Sequence, residues 1–185
     1  MAKYIALLRG INVSGQKIIR MEELRELLES MGLRQVRTYI QSGNAVFHTE
    51  EESPGALAEQ IAGKLKSHFG FEVGVIVRTP EALEEALAAN PFTTGASAGT
   101  EEEVQAKRYY SFLEKVPDGD AVDRLRAYAN EVDEYRIAGD VAYILCRGSY
   151  GKSQFSNNFL ESKLKVMATT RNEATIRKLV SMCRD

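Results

Sequence analysis

The chain has 185 residues, enough for one large domain or two small ones, and 44% of them are hydrophobic, which suffices to fill a core and excludes disorder for most of the length. With 24 basic against 26 acidic side chains the formal net charge is -2, so there is no global attraction to phosphate backbones, and a nucleic-acid role would need a local basic patch. Tyr4-Ile5-Ala6-Leu7-Leu8, stopped at once by Arg9, is too short for a signal-peptide core, and no apolar run approaches the roughly 20 residues of a membrane helix.

Residues 3 to 9 read as a buried strand. Met21, Leu24, Leu27, Leu28 and Met31 then recur at helical intervals, and Gly32 ends that helix. Gln35 to Ile40 and Ala45 to His48 are β-rich runs joined by Gln41-Ser42-Gly43-Asn44, whose Gly and Asn suit a hairpin. Pro54 opens a second helix with Leu57, Ile61, Leu65 and Phe69 as its apolar stripe, closed by Gly70. Phe71, Val73, Val75 and Val77 alternate with Glu72, Gly74, Ile76 and Arg78, as in a strand with one buried face. The order β, α, β, β, α, β with right-handed crossovers predicts a ferredoxin-like sandwich of strand order four-one-three-two over residues 1–78.

A helix from Pro80 to about Ala89 follows, and Thr93 to Thr100 reads as a linker, so residues 79–102 form the connection. The same order then returns over residues 103–168. It comprises a strand at Val104 to Glu114, a helix at Ala121 to Ala129 with Val122, Leu125 and Tyr128 inward, and strands at Glu131 to Ile137 and Val141 to Cys146. A helix around Phe155 to Lys163 and a short strand near Val166 to Ala168 complete the set. Tyr4-Ile5-Ala6-Leu7-Leu8 resembles Tyr109-Tyr110-Ser111-Phe112-Leu113, and Ser42-Gly43-Asn44-Ala45-Val46-Phe47 resembles Ala138-Gly139-Asp140-Val141-Ala142-Tyr143, which points to a duplicated lobe. The final segment, residues 169–185, holds a helix from Asn172 to Met182, extra to the repeat, that packs Ile176, Leu179, Val180 and Cys183. Its start reads as a capping box, Thr170-Arg171-Asn172-Glu173. The expected class is therefore α+β, with two tandem ferredoxin-like lobes, mainly antiparallel sheets and a helix after each lobe.

In this topology the loop leaving the first strand and the second-to-third strand hairpin emerge at one end of the sheet. That brings Arg9-Gly10-Ile11-Asn12-Val13-Ser14-Gly15-Gln16-Lys17 beside Gln41-Ser42-Gly43-Asn44. Glycines free backbone N–H groups for close approach, and Arg9, Lys17 and Arg20 are charge-assisted donors. Arg9, Gly10, Asn12, Lys17, Gln41, Ser42 and Asn44 are thus the candidate site for a small anion, a phosphate or a carboxylate. Ordinary turn chemistry explains the same glycines without a ligand, and that alternative stays open.

Gly151-Lys152-Ser153 follows a strand and precedes a helix, as in a phosphate loop, but Cys146 stands where the leading glycine belongs, and capping by Ser153 or Ser156 accounts for the segment. Lys152, Arg171 and Asn172 are secondary candidates. His48 and His68 make no catalytic pair, and Glu101-Glu102-Glu103 and Asp133-Glu134 read as solvated charge. Cys146 and Cys183 sit in apolar patterns and read as small buried hydrophobes, which implies a reducing compartment and a cytoplasmic location; neither a metal nor a cofactor is expected.

Several of these segments resemble the signature of a bacterial family, domain of unknown function 1697. They are Tyr4 to Val13, Thr38 to Asn44, Phe159-Leu160-Glu161 with Lys163-Leu164, and Ala168 to Asn172. The resemblance implies tandem ferredoxin-like lobes and no established activity. In the family pattern a tryptophan follows the Arg-Asn pair, whereas here Glu173 does. The expected function is small-molecule or anion binding, with catalysis left open and the chain a monomer or weak homodimer. The alternatives are a non-enzymatic protein-interaction module and, ranked last, an RNA-binding protein, since the aromatic and basic strand signature is missing.

Overall fold

The computed structural model describes residues 1–92, 106–130 and 133–185, which fall into two compact units: Met1–Glu85 with Arg177–Asp185, and Ala86–Ile176. The Thr93 to Thr100 linker and Glu101-Glu102-Glu103 lie outside the described residues.

In the first unit the order is β1 (Ala2–Arg9), α1 (Met21–Ser30), β2 (Arg34–Tyr39), β3 (Asn44–Thr49), α2 (Pro54–Phe69) and β4 (Gly74–Arg78), followed by the helix α3 (Pro80–Ala88). The sheet order is β2-β3-β1-β4 with every neighbouring pair antiparallel, the predicted four-one-three-two arrangement. Local chemistry sets the boundaries. Pro54 sits in the first turn of α2, the Ser53 hydroxyl accepts the Ala56 N–H at 3.2 Å, and Gly70 closes the helix at φ +80°. The core lies between one sheet face and the two helices, where Tyr4, Ala6, Leu8, Phe47 and Val75 meet Leu24, Leu28, Leu57, Ile61 and Leu65. The other face, with Ile5, Leu7, Val46 and Ile76, is buried too, so β4 is covered on both sides rather than on the one its alternation suggested.

The second unit repeats the plan with β5 (Lys107–Leu113), α4 (Gly119–Leu125), β6 (Asp133–Ala138), β7 (Val141–Cys146), α5 (Asn157–Leu164), β8 (Ala168–Asn172) and the helix α6 (Glu173–Arg184), whose last residues belong to the first unit. Its sheet order, β6-β7-β5-β8, is the same. The protein is an α+β chain of two ferredoxin-like lobes.

Four further expectations are corrected. The hairpin match is one residue out of step. Leu8 N–H donates to Gly43 C=O at 2.9 Å and Leu113 N–H to Asp140 C=O at 2.8 Å, so Gly43 corresponds to Asp140 and Asn44 to Val141. Tyr128 is exposed rather than inward, because α4 stops at Leu125 and the chain tightens into a 3-10 turn over Arg126–Tyr128, which rotates Tyr128 off the Ala121 and Leu125 stripe. Thr170 and Glu173 form no capping box, because Ala168–Asn172 pairs with β5 as a strand and Asn172 itself caps α6, its Oδ1 accepting the Thr175 N–H at 2.8 Å.

That cap shows α6 to be part of the repeat. Ser111 pairs with Thr170 as Ala6 pairs with Val77, so Asn172 corresponds to Thr79, and the Thr79 hydroxyl caps α3 by accepting the Ala82 N–H at 3.1 Å. The repeating unit is βαββαβα. Arg78 and Arg171 fall at the same position, and each donates to the carbonyl of the residue before it at 3.0 Å.

Candidate functional site

β1 and β2 both run antiparallel to β3 and hence parallel to each other, so the β1–α1 loop and the β2–β3 turn leave the sheet at one end. Asn12 joins them. Its Nδ2 donates to Gln41 C=O at 2.8 Å and to Ile19 C=O at 2.9 Å, while its Oδ1 accepts the Ile19 N–H at 2.8 Å. The predicted juxtaposition of the two segments is present.

Between Asn12 and Lys17 the loop folds into a miniature hairpin. Asn12 N–H donates to Lys17 C=O at 3.1 Å and Gln16 N–H to Val13 C=O at 2.9 Å. The two residues at its tip, Ser14 and Gly15, have φ of +51° and +72°, the signature of a type I′ turn. Lys17 Nζ reaches Glu72 C=O at 2.7 Å. Asn44 is buried, and its Nδ2 donates to Tyr39 C=O at 2.8 Å and to the Ser42 hydroxyl at 3.1 Å. Gly43, at φ +89°, is required on steric grounds, because a Cβ there would lie 2.7 Å from Ile11 Cδ1 and 2.9 Å from Leu8 Cβ. Arg9 and Ser42 are half-buried, whereas Gly10 and Gln41 are exposed.

Sequence reasoning missed the apolar and strained character of this end. Val13, Ile18 and Ile40 are 59%, 57% and 45% exposed, and each is the chain neighbour of a residue in the Asn12 hydrogen-bond set. Ile40 lies at φ +51°, a left-handed conformation that costs a β-branched residue roughly 1–3 kcal/mol. A β-branched residue inside a turn was the available signal.

The secondary candidates do not converge. Lys152 is exposed in a 3-10 turn, Tyr150–Lys152, and no hydrogen bond ties it to Arg171 or Asn172. Arg171 is buried, donates to Thr169 Oγ1 at 2.9 Å, and has its pKa pushed down to about 10 by burial, so the guanidinium stays charged at neutral pH. Two polar clusters of the second unit also escaped the sequence. Glu173 accepts from Arg108 at 2.6 Å and from the Tyr110 hydroxyl at 2.7 Å, which gives its carboxylate a partner on each oxygen. Burial and this hydrogen bond push Tyr110 up to about 12. The Ser111 hydroxyl lies 2.6 Å from that of Thr170, which donates to Asn157 Oδ1 at 2.6 Å.

Both cysteines are free and buried, and burial pushes the Cys146 thiol up to about 11, where it is neither nucleophile nor ligand at neutral pH. His68 pairs with Glu23 at 3.1 Å. Among the described residues no group of His, Cys, Asp or Glu could hold a metal, and no helix is long and apolar enough to cross a membrane.

The model of the family described as "Protein of unknown function (DUF1697)" matches residues 1–143. The chain belongs to this family. The DUF1697 match takes in the mini-hairpin, the Gln41 turn and the second lobe as far as β7, while the Phe159 to Leu164 and Ala168 to Asn172 segments lie beyond it. Among solved structures the chain is similar to the conserved bacterial protein SP0830 from Streptococcus pneumoniae, with 25% identity and a TM-score of 0.67 over 97% of each chain. No curated protein matches.

Proposed function

We propose that the protein is a non-enzymatic interaction module of the cytoplasm, and that its recognition element is the mini-hairpin of residues 12–17 with the Gln41 turn. The single observation carrying this reading is the exposed apolar set Val13, Ile18 and Ile40, held on a backbone braced by Asn12. A rigid platform presenting apolar side chains loses little conformational entropy on binding, which is what an interaction surface requires. Asn12, Lys17 and Asn44 meanwhile hold the loop in shape through their own hydrogen bonds. The two buried free thiols support a reducing compartment.

A second reading, small-anion binding, is favoured by Gly10, whose backbone at φ +68° is open on its Cβ side beside Arg9. RNA binding ranks last, because Phe47 faces the core and leaves no aromatic platform on the hairpin strands beyond Tyr39.

Site-specific photo-crosslinking separates the readings. A photoreactive side chain at Val13 or Ile18 gives a discrete protein adduct, and one at Val116, equally exposed on the second lobe, gives none. Adducts of the same pattern at all three positions would reject the interaction surface. A thermal shift with inorganic phosphate or acyl carboxylates that is lost in Arg9→Ala and Gln41→Ala would establish the anion reading instead.

A further inference from the structure

At the opposite end of the first lobe's sheet, beyond the reach of the Arg9 loop, Lys3 on β1 is the register partner of His48 on β3, and Arg37 lies on β2 beside them. With Gln35, Val46 and Met182 these residues line a cavity of about 280 Å³. Small-ligand sites run from about 300 Å³ upward, so this one suits a compact group.

Its charge is unbalanced toward positive. Lys3 donates to Cys183 C=O and Arg37 to Met182 C=O, the carbonyls at the C-terminal end of α6, which draw cations there. Each contact uses one donor, whereas an ammonium carries three and a guanidinium five, so both cations keep donors for a further acceptor. Of the two acidic side chains at the cavity, Glu29 is held by Arg25 at 2.8 Å, and Asp185 meets Arg37 only at 3.6 Å across an exposed pair, which contributes little. The Nδ1 of His48 is shut off from solvent and has no hydrogen-bond partner. An orphaned buried ring nitrogen beside two cations is a polar group without a partner, the kind of atom that an absent ion accounts for.

We propose that Lys3, Arg37 and His48 form an oxyanion site for a compact phosphate or sulfate group, free or as a monoester. It is independent of the recognition surface at the other end. Burial, then Lys3, Arg37 and the chain's amino group hold His48 below the ordinary histidine range. An anion in the cavity offsets these cations and favours the charged ring. The other charged groups about the ring are Glu29 from α1, Asp185 just past α6 and Arg34, the β2 register partner of His48; the amino group is itself held by Glu50 at 3.4 Å.

The protein has two histidines, so their ring resonances in NMR report the site and carry an internal control. Sulfate, whose charge is constant over the range, is titrated at pH 5.5 and 7.5. The expected result is a saturable shift of His48 with His68 unmoved, a His48 pKa that rises in sulfate, and binding several-fold tighter at the lower pH. Arg37→Gln weakens binding about tenfold or more, the scale of one charge-assisted contact, and Arg37→Lys restores part of it. His48→Gln leaves the Lys3 and Arg37 contacts to α6 in place and removes the pH dependence, now read by calorimetry. Inorganic phosphate against glycerol phosphate tells a free anion from a monoester. Equal shifts at both histidines, or a His48 shift unchanged in Arg37→Gln, would overturn the site.

Discussion

The two lobes share a sheet order, the registers of the strands flanking β1 and β5, and capped closing helices, yet apart from a bulge between Arg34 and Arg37 in β2 they diverge at one end. The first lobe connects β1 to α1 through residues 10–20, where the second connects β5 to α4 through residues 114–118. The first lobe's hairpin turn covers residues 40–43, the second's only Gly139 and Asp140. The common scaffold therefore needs neither the mini-hairpin nor the wide turn, and left-handed residues collect where these were added. Asn12, Ser14, Lys17 and Ile40 are four of the non-glycine residues with positive φ, and only Gln35 and Lys165 lie elsewhere among those described. Such strain costs roughly 1–3 kcal/mol per residue and persists only where the surrounding structure over-determines it, which is in keeping with the recognition role proposed for this end.

The sharpest way to break this comparison is a pair of glycine substitutions. Gly43→Ala places a Cβ against Leu8 Cβ and Ile11 in a left-handed backbone, and a loss of about 3 kcal/mol is expected. Gly139→Ala, also at positive φ but with open space around it, should cost only about 1 kcal/mol. Urea denaturation measures both, and equal losses would mean that the two turns are under the same constraint.

Most of the scaffold was legible in the sequence for physical reasons. The Leu24, Leu27, Leu28 stripe has one helical solution, Pro54 and Gly70 mark a helix start and stop, and the order of elements leaves few topologies. The meeting of the Arg9 loop with the Gln41 turn followed from that topology alone. What stayed hidden depended on non-local pairing. Thr170 to Glu173 has the local pattern of a capping box, but pairing with β5 outcompetes it. The one-residue slip in the hairpin match arose because short similarity carries no register, whereas the Leu113 N–H bond to Asp140 does. The bracing by Asn12 was not visible in the sequence, because it depends on Ile19 and Gln41, neither of which adjoins it in the chain.

Asn12→Ala should cost about 2 kcal/mol, because it removes the contacts to Ile19 and Gln41 and leaves the Ile19 N–H without its acceptor. Faster hydrogen exchange at Ile19, with Leu113 in the second lobe unchanged, would tie the loss to the mini-hairpin. Loss spread evenly over both lobes would not. A smaller effect is expected from making the second lobe's interior resemble the first. Ser111 and Thr170 stand where Ala6 and Val77 stand in the other lobe. Thr170→Val strands the Ser111 hydroxyl and Asn157 Oδ1 and should cost about 1.5 kcal/mol, while Ser111→Ala costs less. The double variant should be no worse than Thr170→Val alone. A strictly additive cycle would show that the hydroxyls do not act as a pair.

The smallest effect separates the lobes by pH. Tyr110 corresponds to Ile5, so only the second lobe carries a phenol at this position. Its hydroxyl is worth about 1 kcal/mol as a donor to Glu173, which Tyr110→Phe removes while Arg108 keeps the carboxylate paired. The pH dependence follows from the raised pKa. The unfolded chain releases the phenolic proton near pH 10 and the folded one near about 12, so the stabilisation is complete below pH 10 and declines as pH rises toward 12. Tyr109, Tyr135, Tyr143 and Tyr150 are raised as well, so the total alkaline slope belongs to all of them. What Tyr110→Phe isolates is a difference. Denaturation midpoints of variant and parent should run parallel up to pH 10 and converge above it. Midpoints that stay parallel to pH 11.5 would mean that Tyr110 titrates no differently in the folded and unfolded chains, and that the Glu173 hydrogen bond does not discriminate between them.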